Sequence, residues 1–352
     1  MISARRFTVA ALLGASSASA GLSLFQPNDL FEKRVHIMER TLAMVSIEPN
    51  GDFVVEGGNL RIQNGTGQTD SLNGKGNLIV GDFTGGVSSG GVNGPSHNIV
   101  VGSLHDVQSY GGLIVGTEHT TLPEATAAVL LGGGDHLAES PNVTAVGGRG
   151  HTVHGDHSTI GGGLFGLAIG DHSVIAGGQQ GLIPPDGTDA CVVGGSQNLA
   201  TGPYSVVSGG RNNIASGLYS VIAGGAQGDA DGYAGLILGG TEGRAEGSWA
   251  CVIGGQLAHV EAGTDQAVVV GGFANRATGD YSVAIGGSMN EASGQESVVI
   301  GGSENVVAGE TATIGGGSNN TATGLSSSNS GGANRWVTAE SGWVAGGLFE
   351  PQ

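Results

Sequence analysis

A 15-residue segment is repeated along most of the chain and constrains the fold more than any other feature. Each copy starts with a glycine pair, as at Gly194-Gly195, and ends in a short apolar run such as Val206-Val207. The first glycines of successive copies lie mostly 15 residues apart, at positions 102, 116, 132, 147, 162, 177, 194, 209, 224, 239, 254, 271, 286, 301, 316, 331 and 346. A fixed short period of this kind predicts a repeat architecture in which each copy packs on the next.

Glycine also marks a second point within each copy, eight residues after the first glycine, as at Gly202 and Gly217. Because glycine adopts positive φ without steric cost, we expect the chain to reverse direction at both points. The runs between them are about five residues long, which suits short strands, whereas glycine is unfavourable inside helices. Two turns and two strands per copy predict an all-β fold, a parallel β-roll solenoid over 102–348 with a rise of about 4.8 Å per coil.

The main strand of each copy is apolar on both faces. Side chains alternate along a strand, so Val221 and Ala223 point to one side and Ile222 to the other. Nine successive coils carry an apolar residue at the middle position: Ile175, Val192, Val207, Ile222, Ile237, Val252, Val269, Ala284 and Val299. A strand that is apolar on both faces is buried on both faces.

A two-sided roll buries only one of these faces within the chain. The other is predicted to form an apolar ridge roughly 40 Å long, which is more than soluble monomers usually expose. We therefore expect identical chains to cover it. The alternative is a thin second layer supplied by the N-terminal region.

Asparagine recurs at the fifth position of the copy. Stacked asparagines satisfy one another through their amides, so this column predicts a structural side-chain ladder. Gly228 and Gly243 interrupt it between the asparagines at 198, 213, 275, 290, 305 and 320.

Composition excludes several classes of function. Of 352 residues 71 are glycine, 12% are charged and 5% are aromatic, which is typical of a thin repetitive core and not of a globular enzyme. The formal net charge of −18 argues against nucleic acid and anionic membrane surfaces as partners. We expect no enzymatic activity, no cofactor and no membrane insertion.

The N-terminal region is predicted to contain an export signal and a helix. Residues 1–20 combine Arg5-Arg6, a short apolar run and a small-residue cleavage pattern, which indicates secretion by the general or the twin-arginine route. Residues 28–46 are expected to form a short coiled-coil helix that sets subunit number, and an amphipathic helix folded onto the roll is the alternative. Its apolar residues follow 4-3-4-3 spacing at Phe31, Val35, Met38, Leu42 and Val45.

Glycine-rich lead-in strands are predicted over 47–101, and residues 349–352 form a short C-terminal tail. Asn77-Leu78-Ile79-Val80-Gly81 and Asn98-Ile99-Val100-Val101-Gly102 have the appearance of early, irregular coils.

Few residues have the pattern of a chemical site. Cys191 and Cys251 share one strand position four coils apart, too far for a disulfide, and we expect them to be small buried apolar residues. We assign no metal site, because a repeat places turn residues in register without any ligand. The alternative is a divalent-metal site at the histidines spaced by three, with a stacked histidine and aspartates, or at the acidic turns: His151, His154, His157, His172, Asp156, Asp171, Asp280 and Glu310.

The copies resemble the head domains of trimeric autotransporter adhesins (YadA-like heads). The resemblance rests on segments such as Tyr281-Ser282-Val283-Ala284-Ile285-Gly286 and Glu296-Ser297-Val298-Val299-Ile300-Gly301, and covers roughly 98–348. The lead-in and the ending around Trp343 also resemble secreted bacterial repeat proteins with similar heads. The resemblance implies a left-handed roll, a homotrimer, surface exposure and adhesion.

The chain departs from that family in its longer, 15-residue copies and in ending without the family's C-terminal barrel anchor and stalk. Export by the chain itself is therefore not expected. The sequence predicts an exported structural or adhesive module at the cell surface, with a surface glycan or matrix molecule as ligand. The alternatives are a spike-like solenoid that binds or processes polysaccharide, and an ice-binding solenoid, which the mixed residues at position 8 disfavour.

Overall fold

The computed structural model describes residues 34, 36–37, 45–49, 51–55, 59–70, 74–81 and 95–345. The chain divides into two compact units, Met1–Arg61 and Ile62–Gln352. Within the described part of the chain, no helix is both long enough and apolar enough to cross a bilayer.

The first unit contains an antiparallel hairpin of β1 (Val45–Ile47) and β2 (Phe53–Val55). Val45, the last residue of the predicted helical seam, therefore lies on a strand, and the prediction of a helix to residue 46 is wrong at this end. β-branched and aromatic residues on both sides of the turn favour cross-strand pairing over a further helical turn.

Most of the predicted N-terminal elements lie outside the described residues. This applies to the export signal over 1–20 and to the helix over 28–46, except for residues 34, 36 and 37, which have helical backbone, and residues 45 and 46, which lie on β1. The C-terminal tail over 349–352 also lies outside the described residues.

The second unit is a parallel β-solenoid, which confirms the prediction from the 15-residue period. One strand of each coil joins a first sheet of 18 strands. These are β3 (Leu78–Val80), β4 (Ile99–Ser103), β6 (Leu113–Thr117), β8 (Val129–Gly134), β10 (Thr144–Val146), β12 (Thr159–Ile160), β14 (Val174–Ile175), β16 (Cys191–Val192), β18 (Val206–Val207), β20 (Val221–Ala226), β22 (Leu236–Thr241), β24 (Cys251–Ile253), β26 (Val268–Val270), β28 (Val283–Ile285), β30 (Val298–Ile300), β32 (Thr313–Ile314), β34 (Ser328–Asn329) and β36 (Trp343–Val344).

The other strand of each coil joins a second sheet of 16 two-residue strands. These are β5 (Asp106–Val107), β7 (Thr120–Thr121), β9 (Leu137–Ala138), β11 (Thr152–Val153), β13 (Leu167–Ala168), β15 (Leu182–Ile183), β17 (Leu199–Ala200), β19 (Ile214–Ala215), β21 (Asp229–Ala230), β23 (Arg244–Ala245), β25 (His259–Val260), β27 (Arg276–Ala277), β29 (Glu291–Ala292), β31 (Val306–Val307), β33 (Thr321–Ala322) and β35 (Trp336–Val337).

In both sheets the register equals the repeat. Val206 pairs with Val221 in the first sheet, and Leu199 pairs with Ile214 in the second. Equivalent residues of successive coils are therefore stacked in columns, and a column is the unit in which this protein arranges its side chains.

The core between the sheets has unequal halves. The first sheet contributes the middle residue of its apolar motif, such as Ile222 and Ile237, which are almost fully buried. The second sheet contributes its second residue, which is alanine in many coils, such as Ala215 and Ala230. Large aliphatic side chains from one sheet thus fill the space over small ones from the other, and the two sheets lie close together.

One of the two glycine points has the predicted role and the other does not. The second glycine of the pair does adopt positive φ, with 82° at Gly195, but Gly202 does not. The left-handed residue at that turn is Tyr204, with φ of 57°. Gly202 is required for a different reason, because a Cβ there would collide with the carbonyl of Gly217 in the next coil.

Candidate functional site

The outward face of the first sheet is apolar. Its outward residues are the first of each strand and the second one after it, for example Val283 and Ile285 on β28, while Ala284 between them is buried. Ile285 is 38% exposed and Ile300 48%. We call these outward positions from β3 to β30 the apolar face. Its other exposed members include Leu78, Val80, Ile99, Val146, Val174, Val193, Leu238 and Ile253.

The apolar face carries no charge in the described residues. From β3 to β30 the outward positions hold aliphatic residues, threonine, serine, glycine or cysteine. Towards the C-terminus they become polar, with Thr313 on β32 and Ser328 on β34. The ridge predicted from the sequence therefore exists, but its side chains are the first and third of the motif, and the middle residue faces the core.

The outward face of the second sheet is charged over its central coils. We call this the charged face: Asp229, Arg244, His259, Arg276 and Glu291 at the first outward position, with Asp231, Glu246 and Glu261 two residues further on.

Polar side-chain contacts connect neighbouring columns of the charged face. Arg276 Nη2 lies 3.0 Å from Glu261 Oε2, and His259 Nε2 lies 3.3 Å from Glu246 Oε2. Burial and then the carboxylate of Asp231 raise the pKa of Asp229 to about 6.

A row of aromatic rings follows one turn of the roll. Tyr204, Tyr219, Tyr233 and Trp249 are each about half exposed. Tyr204 and Tyr219 are stacked with ring centroids 5.1 Å apart, and Tyr233 meets Tyr219 and Trp249 edge-on at 5.9 and 5.5 Å. Three of these residues, Tyr204, Tyr219 and Trp249, have left-handed backbone, which directs their rings away from the coil.

The histidines that the sequence grouped are not brought together. His151 is buried, whereas His154 lies on the outward side of the second sheet, with its Nδ1 2.6 Å from Glu139 Oε2. His157 and His172 lie at a turn with ring centroids 5.5 Å apart, each beside an aspartate. Among the described residues, no group of three or more histidine, cysteine or acidic side chains is arranged to hold a metal ion.

His151 instead belongs to a buried column that sequence reasoning missed. Its members are His105, His119, His136 and His151, all at most 1% exposed. Their rings stack in succession with centroids 5.2, 4.7 and 4.9 Å apart. We call this column the histidine ladder. The sequence pattern that could have revealed this ladder is a histidine three residues after a turn glycine, as in Gly102 to His105 and Gly148 to His151.

The asparagine ladder predicted at the same position of later coils is present. Asn213 N–H donates to Asn198 Oδ1 at 3.1 Å, and Asn320 N–H donates to Asn305 Oδ1 at 3.1 Å. The side-chain amide of Asn198 donates to Gly194 O at 2.8 Å. The ladder therefore closes the glycine turn of its own coil and holds the backbone of the next.

Both cysteines are free and lie on the apolar face. Cys191 and Cys251 are first residues of β16 and β24 and only partly buried, so the prediction that they point into the core is wrong. Both sides of these strands are apolar, and the pattern alone did not fix which side is inward. Burial raises the pKa of each thiol.

No protein-family model matches this chain. A search of curated proteins likewise finds no match.

Proposed function

We propose that this protein is an exported, non-enzymatic structural or adhesive module, a homotrimer that buries the apolar face and presents the charged face to a surface or matrix ligand. The observation that supports it is the apolar face itself, a ladder of half-exposed aliphatic residues without a charge from β3 to β30. The number three comes from the resemblance to trimeric adhesin heads.

The size of the apolar face favours a permanent partner. Twelve steps from β6 to β30 at about 4.8 Å give a strip roughly 60 Å long. With a width of about 10 Å, three residues of extended strand, its area is roughly 600 Å², at the upper end of the patches that monomers expose. A standard interface buries about 800 Å² per chain, so the strip and its borders suffice for stable association.

A second copy of this chain is the partner that fits best. The face repeats every coil, so only a partner with the same axial spacing stays in register over many coils, and an identical roll has that spacing. The net charge of −18 makes an uncharged strip the place where two such chains approach with least repulsion.

Sedimentation equilibrium of the chain from residue 21 onwards tests the proposal. We expect three times the single-chain mass at micromolar concentration, both with and without residues 28–46 if the roll alone carries association. A single-chain species at all concentrations would rule out the trimer.

A second candidate function, polysaccharide binding, is favoured by the aromatic row. Exposed rings offer large amphipathic contact surface, and a row with one ring per coil allows an extended chain to touch several of them. The adjoining turn residues Pro203 and Leu218 carry no charge, so a neutral polysaccharide suits the row better than an acidic one.

Co-sedimentation with insoluble neutral polysaccharides (cellulose, chitin and a β-1,3-glucan) tests this candidate. Tyr219→Ala with Trp249→Ala is expected to reduce the bound fraction at least about tenfold, since each lost aromatic contact is worth about 1 kcal/mol. Trp336→Ala, at an exposed aromatic residue on the second sheet and away from this turn, is the matched control. Equal binding by all three proteins, or by none, would exclude the row as a site.

A further inference from the structure

The same column of the roll is occupied by histidine in early coils and by asparagine in later ones. Counting from the left-handed glycine of each turn, the third residue is His105, His119, His136 and His151 in the histidine ladder, and Asn198, Asn213, Asn275, Asn290, Asn305 and Asn320 further on. Gly166 and Gly181 separate the two groups, and Gly228, Gly243 and Ala258 interrupt the asparagines. The fold therefore accepts two chemistries at one place.

His105 and His119 make the same two hydrogen bonds as the asparagines, whereas His136 and His151 make only the one at Nδ1. The backbone N–H of His119 donates to His105 Nδ1 at 3.2 Å, as the N–H of Asn213 donates to Asn198 Oδ1. His105 Nε2 lies 3.2 Å from Val101 O, the position at which Gly194 O accepts from the asparagine amide.

This geometry fixes the tautomer of every imidazole in the ladder. A backbone N–H only donates, so each Nδ1 must be the unprotonated acceptor and each Nε2 carries the hydrogen. The same contact to Nδ1 recurs at His136 N (3.3 Å), His151 N (3.4 Å) and Gly166 N (3.0 Å). Each histidine is thus neutral, and the lone pair on its Nδ1 accepts a hydrogen bond from the backbone of the next coil.

Adding a proton would break this arrangement. The proton has to enter at Nδ1, where it would face the backbone N–H of the next coil and remove that hydrogen bond. The new charge would be buried and would lie about 5 Å from the neighbouring rings. An asparagine in the same place gains no proton at any mildly acidic pH, so the later coils lack this liability.

The groups around the ladder do little to compensate such a charge. The first sheet contributes the apolar Ile114, Leu130, Ala145 and Ile160 to the core of these coils. Among the described residues, Asp135 is an acidic group that acts on the ladder, and it partly offsets the lowering of the pKa of His136. The remaining groups that act on it are the other histidines and backbone carbonyls.

The pKa values agree with the geometry. Burial lowers the pKa of all four imidazoles, and for His119 and His151 the neighbouring histidines lower the pKa further, to about 4. Because the folded pKa lies below the unfolded value of 6.5, unfolding takes up protons. Stability is full above pH 6.5 and is lost as the pH falls towards 4.

We propose that the histidine ladder makes the coils from 99 to 166 an acid-sensitive segment, which opens in mildly acidic medium while the asparagine-laddered coils from 275 to 331 stay folded. The device is local because a solenoid coil contacts only its neighbours, so its parts open separately.

Native-state hydrogen exchange of the full chain at pH 7.5 and 5.0, corrected for intrinsic rates, tests the proposal. A shift in pKa from 6.5 to about 4 raises the opening constant roughly 30-fold per histidine between these pH values. We expect protection in peptides from 105–166 to fall by at least that factor, and protection in peptides from 275–320 to change little. Equal changes in both segments, or none in the first, would overturn the proposal.

The variant His119→Asn with His136→Asn puts the residue of the later ladder into the early one. It is expected to remove most of the pH response, whereas His154→Asn with His157→Asn, at exposed histidines, is expected to keep it. An unchanged response in the first variant would also contradict the proposal.

If the first variant fails to fold, titration of the wild-type imidazoles by NMR decides the question. If the four ladder histidines stay neutral down to pH 5, the proposal is supported. If all four have pKa values near 6.5, the proposal is refuted.

Discussion

The outward faces of the two sheets are built on the same repeat and have opposite chemistry. On the first sheet, Val283 and Ile285 of β28 continue an uncharged aliphatic strip. On the second sheet, Arg276 of β27 and Glu291 of β29 belong to a face of ion pairs. Since both sheets use the same hydrogen-bonding pattern and share one core, the fold itself does not require this difference.

Under the proposed assembly, what differs is the medium that each face meets. Charges on the second sheet can reach water, where exposed ion pairs cost little and contribute little. An aliphatic strip of this length in water costs free energy with every coil, so its retention from β3 to β30 points to a partner that covers it. Under the proposed function, the first face is the side of the roll that assembles and the second is the side that is presented.

The largest effect is expected from charges placed on the apolar face. Ile285→Glu with Ile300→Glu should raise the dissociation constant of the assembly by at least about 10³-fold, because each uncompensated buried charge costs about 3–5 kcal/mol. Val306→Glu with Thr321→Glu adds the same charge at outward positions of the second sheet and should leave association unchanged. Sedimentation velocity over a concentration series measures both, and a control variant that dissociates equally would remove the distinction between the faces.

A smaller effect is expected when isoleucines on the inward and outward sides of the first sheet are each replaced by alanine. Ile222→Ala empties a fully buried site and should lower the free energy of local unfolding by about 2–5 kcal/mol. Ile253→Ala removes the same atoms at a site that is 39% exposed, so it should cost the separated chain less than about 1 kcal/mol but weaken association. Hydrogen exchange in the coils around each site measures the first quantity, and equal costs would mean that the apolar face is already covered within one chain.

The sequence was sufficient for everything that follows from the period. The parallel roll, its register and the asparagine ladder of Asn275 to Asn320 come directly from residues 15 apart. The side of each first-sheet strand that faces the core was not predictable, because Val221, Ile222 and Ala223 are all apolar. Packing against the small Ala215 of the second sheet decides it.

Two further features needed the structure, each for its own reason. Glycine permits both positive φ and close backbone approach, and only the coordinates show that Gly202 serves the second while Tyr204 makes the turn. The histidine ladder was hidden because its members lie 14, 17 and 15 residues apart, so the strict period does not align them.

The smallest effect is expected at Asp229. The comparison implies that charges on the second sheet are well solvated, and the Asp229 carboxylate is an exception. Its pKa is raised from 3.8 to about 6 by burial and by Asp231, so the folded state holds a proton that the unfolded state releases. Its contribution to stability is therefore least favourable above pH 6 and is restored below pH 4. Asp229→Asn should stabilise the chain at pH 7.5 by about 1–2 kcal/mol, after allowance for solvent screening, and by almost nothing at pH 3.5.

Glu291→Gln, at the same outward position of β29, is the matched control for this prediction. It is expected to change stability by less than about 0.5 kcal/mol at either pH. Urea denaturation at the two pH values measures both variants. A gain for Asp229→Asn that persists at pH 3.5 would mean that its cause is packing and not charge. Access to water would then not explain why the outward face of the second sheet is polar.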